Sequence, residues 1–85
     1  MKKVMVELPV ERYEQLRDKC DPSSPELELL INACIDTRPK GKHIERIVQI
    51  LCEKEQAIAL LNLATRLCPD AIPAIKQALG FPANQ

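Results

Sequence analysis

Between Val10 and Leu79 apolar residues recur every three to four positions, in runs cut by proline, glycine and short polar clusters. Positions three and four apart line one face of an α-helix, so this spacing constrains the chain more than any other feature. The run 10–20 places Val10, Tyr13, Leu16 and Cys20 on a narrow stripe. The next carries Leu27, Leu30, Ile31, Cys34 and Ile35, with Leu29 widening the face, and should end near Asp36. A third, from about Lys42 to Lys54, repeats Ile44, Ile47, Val48 and Leu51, flanked by Ile50 and Cys52. A fourth, to Leu67, is apolar almost all round (Ile58, Leu60, Leu61, Leu63, Ala64), the pattern of a central buried helix. Ile72, Ile75, Ala78 and Leu79 make a fifth that stops at Gly80.

The punctuation between these runs reads as helix ends. Pro9, Pro25 and Pro73 each fit a first helical turn, Ser23 and Glu26 have capping-box spacing, and Asp70 fits an N-cap. Glu53-Lys54-Glu55-Gln56 is only a polar interruption, so the third and fourth runs also fit one long helix. Val4, Val6 and Leu8 alternate, which allows a short strand or an extended lead-in. The expected fold is all-α: a compact antiparallel bundle of five to six short helices. It would be one domain over residues 1–85, with a lead-in at 1–8, the bundle at 9–80 and a tail at 81–85.

Eighty-five residues suffice for one domain, and two aromatics cannot build a base-stacking platform. The longest purely apolar run, Ala57 to Leu61, is far short of the roughly 20 residues of a membrane span. Glu7 interrupts the N-terminal apolar stretch too early for a secretory signal, so a cytoplasmic chain is expected. Cys20, Cys34, Cys52 and Cys68 lie 14, 18 and 16 residues apart, without the spacing of a metal or redox pair, and read as small buried hydrophobes. His43 is the sole imidazole, and Gly41 and Gly80 are too few glycines for a phosphate loop. No enzyme activity, cofactor or metal is expected.

Charge is unevenly laid out behind a net of zero. Residues 1–36 carry net −3, residues 37–46 net +3, and the remainder zero. An acidic front half and a basic segment imply surfaces that complement one another between copies of the chain. The basic side would be Arg38, Lys40, Lys42 and Arg46; the acidic side Glu11, Glu14, Asp18, Glu26 and Glu28.

The run Thr37 to Leu51, followed by Ala57 to Ala64 and Ile72 to Leu79, resembles the last three helices of a caspase recruitment domain of the death-fold superfamily. Tyr13 to Leu30, through Asp21-Pro22-Ser23-Ser24-Pro25, is similar to the front of bacterial effector-associated, death-like domains. The resemblance implies a homotypic adaptor of a signalling, cell-death-like or antiphage defence system. It would recruit itself or another such domain through the charged residues above, forming homo-oligomers without nucleic acid or membrane. A second resemblance, in Val4 to Leu16 with Leu30 to Ile35, is to ribbon-helix-helix repressors. It implies a dimeric DNA-binding regulator with Lys3, Met5 and Glu7 facing outward. Glu7 and a net −3 front half oppose phosphate, so DNA ranks as the alternative partner.

Overall fold

The stretch from His43 to Glu53 carries four β-branched residues, Ile44, Ile47, Val48 and Ile50, and it is a strand. The structure, a computed structural model, describes residues 2–81. In chain order it comprises β1 (Lys3–Pro9), α1 (Val10–Lys19), α2 (Pro25–Ile31), β2 (Cys34–Lys40), β3 (His43–Glu53), α3 (Lys54–Leu67), a 3₁₀ turn at Pro69–Ala71, and α4 (Ile72–Ala78). The sheet is antiparallel with order β1-β3-β2, and the helices cover one of its faces.

The inner face is built by alternation. Val6 and Leu8 of β1 and Val48, Ile50 and Cys52 of β3 are buried, and Ile50 and Val48 lie directly opposite Val6 and Leu8. Against them pack Tyr13 and Leu16 of α1, Leu30 of α2, Ala57, Leu60, Leu63 and Ala64 of α3, and Ile75 of α4. The Tyr13 hydroxyl, buried in this layer, donates to the Leu30 carbonyl at 2.5 Å and ties α1 to α2.

The all-α bundle of five to six helices is therefore wrong, and the death-fold and helical-bundle assignments fall with it. Four α-helices and three strands are present among the described residues. The error lies in two segments. From Ile44 to Leu51 apolar residues are dense enough to satisfy both periods, but the period of two sets what faces the helices: Val48, Ile50 and Cys52 do, and Leu51, of the opposite parity, is 59% exposed, while Ile44, of the same parity, lies beyond the end of β1 and is 73% exposed. Cys34 and Ile35 continue the helical spacing of α2, yet that helix stops at Ile31 and both residues begin β2, exposed. Nor are all four cysteines buried: Cys20, Cys52 and Cys68 are, and Cys34 is not.

Several boundaries are also corrected. Pro9 closes β1 instead of opening the helix. Ser23 does not cap α2; Ser24 precedes it, and the Ser24 hydroxyl bonds the Glu26 carboxylate. Asp70 sits within the 3₁₀ turn, not at an N-cap. Glu53 to Gln56, read as a polar interruption, is a capping box: Glu53 caps the third residue of α3, and the Glu53 N–H donates to Gln56 Oε1 at 2.9 Å. It marks the change from β3 to α3, so no single long helix exists. Residues 3–9 take the strand alternative. The tail beyond residue 81 lies outside the described residues.

Among the described residues no helix is long and apolar enough to cross a membrane. Leu60→Ala, at a fully buried site, should cost about 2–5 kcal/mol in urea denaturation. Ile44→Ala should cost less than about 0.5 kcal/mol, although helical spacing makes it look like core.

Candidate interaction surface

The basic segment forms the tip of the β2–β3 hairpin. Lys40 pairs with His43, so the loop is only Gly41-Lys42. Gly41 takes φ +62°, and no other described residue except Gly80 has positive φ. A left-handed glycine followed by an ordinary residue is the arrangement of a type II′ turn, which matches strand twist. β1 ends its pairing at Pro9–Ile47, whereas β2 and β3 continue through four more pairs, Thr37–Arg46 to Lys40–His43. The ribbon thus runs two-stranded for about 14 Å past the sheet.

Arg38, Lys40, Lys42 and Arg46 all stand on this ribbon, exposed, and they differ in what compensates them. Arg38 is tied down. Its guanidinium donates to Asp36 through Nε at 3.1 Å and to the Glu7 carboxylate, reaching across β3 over Ile47. The Asp36 bond is the main cause, and Glu7 the next, of an Arg38 pKa raised further above its ordinary value. Lys40 pairs with Glu45 at 3.8 Å. Lys42 and Arg46 have no carboxylate within 4 Å among the described residues.

Of the acidic residues, the fold gathers three. Glu11, Glu14 and Asp18 fall on one stripe of α1, opposite the buried Tyr13 and Leu16. Two of the three basic residues of α1 lean the other way, while Arg17 also pairs with Asp18 of the stripe at 3.5 Å. Arg12 lies 3.8 Å from Asp70, Lys19 donates to the Leu67 carbonyl at 3.2 Å, and Arg17 sits 5.3 Å over the Tyr13 ring. Glu11, at the start of the helix, shares a cleft with Lys40, Ile44 and Arg46 of the ribbon. Glu26 and Glu28 do not join the stripe. Two positions apart on α2, they point to opposite sides: Glu26 into a cleft with Glu55 and Gln56, Glu28 toward Asn32 and Leu51.

The uncovered face of the sheet carries a polar bridge that sequence reading missed. Glu7 accepts from Gln49 Nε2 at 3.0 Å as well as from Arg38, linking all three strands. The Gln49 bond is the first cause, ahead of Arg38, that holds the Glu7 carboxyl below the ordinary carboxylate range, against the opposing effect of burial. The signal was present only as alternation: Glu7 lies on the same face of β1 as Met5, but its partners are 31 and 42 residues away. The outward β1 positions Lys3, Met5 and Glu7 were those expected of a DNA-reading strand. Here β1 is paired with β3 of its own chain and Glu7 is occupied by Arg38.

Among the described residues no three His, Cys, Asp or Glu side chains are placed to hold a metal ion. The larger clefts are open grooves around α2, the ribbon, and the loop before α2 where it meets the end of α3. Comparison with family models, curated proteins and solved structures finds no match to this chain.

A carboxyl whose pKa is lowered on folding stabilises the fold above its unfolded value and loses that contribution as pH falls through the lowered folded value. Glu7→Gln should therefore be less stable than the parent at neutral pH, by about 0.2–1 kcal/mol given its solvent exposure. The difference should shrink to nothing below the ordinary carboxylate range. Urea denaturation of both chains across a pH series measures it; a difference that grows toward acid would contradict the Glu7 bridge.

Proposed function

We propose that this chain is a protein-interaction module, not an enzyme, that assembles with further copies of itself through charge-complementary surfaces. A death-fold recruitment role is no part of the reading, since it rested on a fold the chain does not have. The supporting observation is the separation of charge: a basic ribbon with Lys42 and Arg46 uncompensated, and an α1 stripe of Glu11, Glu14 and Asp18 turned away from the core.

The dimensions are compatible. Seven helical residues separate Glu11 from Asp18, about 10 Å along α1. Four strand residues separate Lys42 from Arg46, about 13 Å along the ribbon. A ribbon laid along the stripe of a second copy sets two cations against Glu11 and Glu14, with Asp18 beside its own Arg17, without disturbing either core. Repetition of one such contact propagates, and reciprocal exchange closes at a dimer. Solvent-exposed pairs of this kind orient the encounter and are screened by salt.

Light scattering over a concentration and salt series tests the reading. Assembly at low salt should weaken about tenfold in the Lys42→Glu/Arg46→Glu chain and return when that chain is mixed with Glu11→Lys/Glu14→Lys. A chain that stays monomeric at high concentration and low salt overturns it. A two-stranded basic ribbon also matches the width of the DNA major groove. Salt-sensitive binding to mixed duplexes, weakened by Lys42→Ala and Arg46→Ala but not by Lys3→Ala, would replace self-assembly with that alternative.

A further inference from the structure

β2 is an edge strand, and the only element packed broadly against it among the described residues is β3. Every residue of it except Asp36 is exposed. The other edge differs, for α4 packs along β1. An uncovered edge exposes a row of unpaired backbone groups, and the hairpin fixes which ones. The pair closing a two-residue hairpin exchanges both backbone bonds, and pairs alternate from there. Counting back from Lys40–His43, the residues bonded to β3 are Lys40, Arg38, Asp36 and Cys34. Ile35, Thr37 and Pro39 turn their backbone outward.

We infer that β2 pairs antiparallel with β2 of a second copy, in register about Thr37, to join two three-stranded sheets into one of six strands. This rests on the reading of the chain as self-associating but uses a different surface. The segment Ile35-Asp36-Thr37-Arg38-Pro39 complements its own reverse. With Thr37 opposite Thr37 of the second copy, their N–H and C=O groups bond reciprocally. Each Ile35 N–H meets a Pro39 carbonyl, the one group that proline still offers, and the Ile35 and Pro39 side chains adjoin. On the uncovered face each Asp36 comes opposite an Arg38. These two residues already pair within the chain at 3.1 Å, so the two-fold contact turns two pairs into a four-member network.

Neighbouring registers lack this match. Shifting one way sets Asp36 against Asp36; shifting the other sets Arg38 against Arg38. Like charges directly opposite on adjacent strands oppose pairing. The charge pattern therefore selects the Thr37-centred alignment and supplies the argument for a second copy as occupant. Four backbone bonds and two ion pairs make a small, transient interface.

Substitutions at the two-fold position test this without touching the Arg38–Glu7 bridge, because the Thr37 side chain is exposed and makes no hydrogen bond among the described residues. In sedimentation velocity over a concentration series, Thr37→Asp and Thr37→Lys should each dimerise at least about tenfold more weakly than the parent, since each sets like charges across the axis. An equimolar mixture of the two should recover the dimer. Asp36→Arg, which opposes Arg38 of the second copy, should be impaired in the same way. Circular dichroism checks that each variant is folded; where Thr37→Asp is not, Thr37→Lys mixed with Thr37→Glu takes its place. Variants that associate as the parent does, or a mixture that fails to recover, overturn the β2 pairing. Association lost in Lys42→Glu/Arg46→Glu but untouched at Thr37 removes β2 pairing and leaves the charge-complementary contact standing. The reverse pattern keeps β2 pairing and removes that contact.

Discussion

The structure depends on β3 being bonded on both sides. A central strand sends alternate backbone groups to alternate neighbours, so one parity serves both edges. His43, Glu45, Ile47 and Gln49 bond to β2, and Val48, Ile50 and Cys52 to β1. That parity decides where proline is tolerated, because proline cannot donate to a ladder. Pro39 lies opposite Ile44 and Pro9 opposite Ile47, both in pairs that exchange no backbone bonds, so each ring turns its missing N–H away from β3. A shift of either strand by one residue would bring a proline nitrogen against a β3 carbonyl, and a shift of β1 would also turn Val6 and Leu8 out of the core. The prolines and the apolar alternation thus enforce the same register independently.

The same parity explains which parts were legible in the sequence. α1 and α3 are surface-to-core helices with a clear stripe and a sharp end, and α4 ends at Ala78, with Gly80 just past its cap at a φ of +85° that suits a helix terminus. β3 was illegible by periodicity because its outer face is also partly apolar. Ile47 is nearly buried under the Arg38–Glu7 bridge, and Leu51 lies opposite Met5, so apolar residues occur on both faces and mimic a helical repeat. What distinguished the segment was residue type: Ile44, Ile47, Val48 and Ile50 are β-branched, and Gly41-Lys42 before them is a two-residue hairpin turn. The basic cluster was visible as charge, but its form, a projecting ribbon and not a loop between helices, was not. The Glu7–Arg38–Gln49 bridge joins residues distant in sequence, and no local pattern encodes it.

An exposed edge strand is usually a hazard, and β2 carries features that blunt one: Pro39, Lys40 and two further charges in seven residues. The same features specify a partner. Pro39 removes an outward donor, so a foreign strand finds an incomplete ladder, whereas a second β2 presents its own Pro39 carbonyl where Ile35 can donate. Asp36 and Arg38 repel a copy out of register and attract one in register. Specificity of this kind comes from the misfits as much as from the match, because each disfavoured alignment pays a repulsion that the favoured one lacks. Arg38 carries both roles. Its reach to Glu7 fixes β2 against the body of the fold, and its pairing with Asp36 holds the guanidinium on the uncovered face, where a second copy would meet it already oriented. A side chain already held in its contact geometry has less conformational entropy left to lose on association, which is the cost that makes most exposed ion pairs weak.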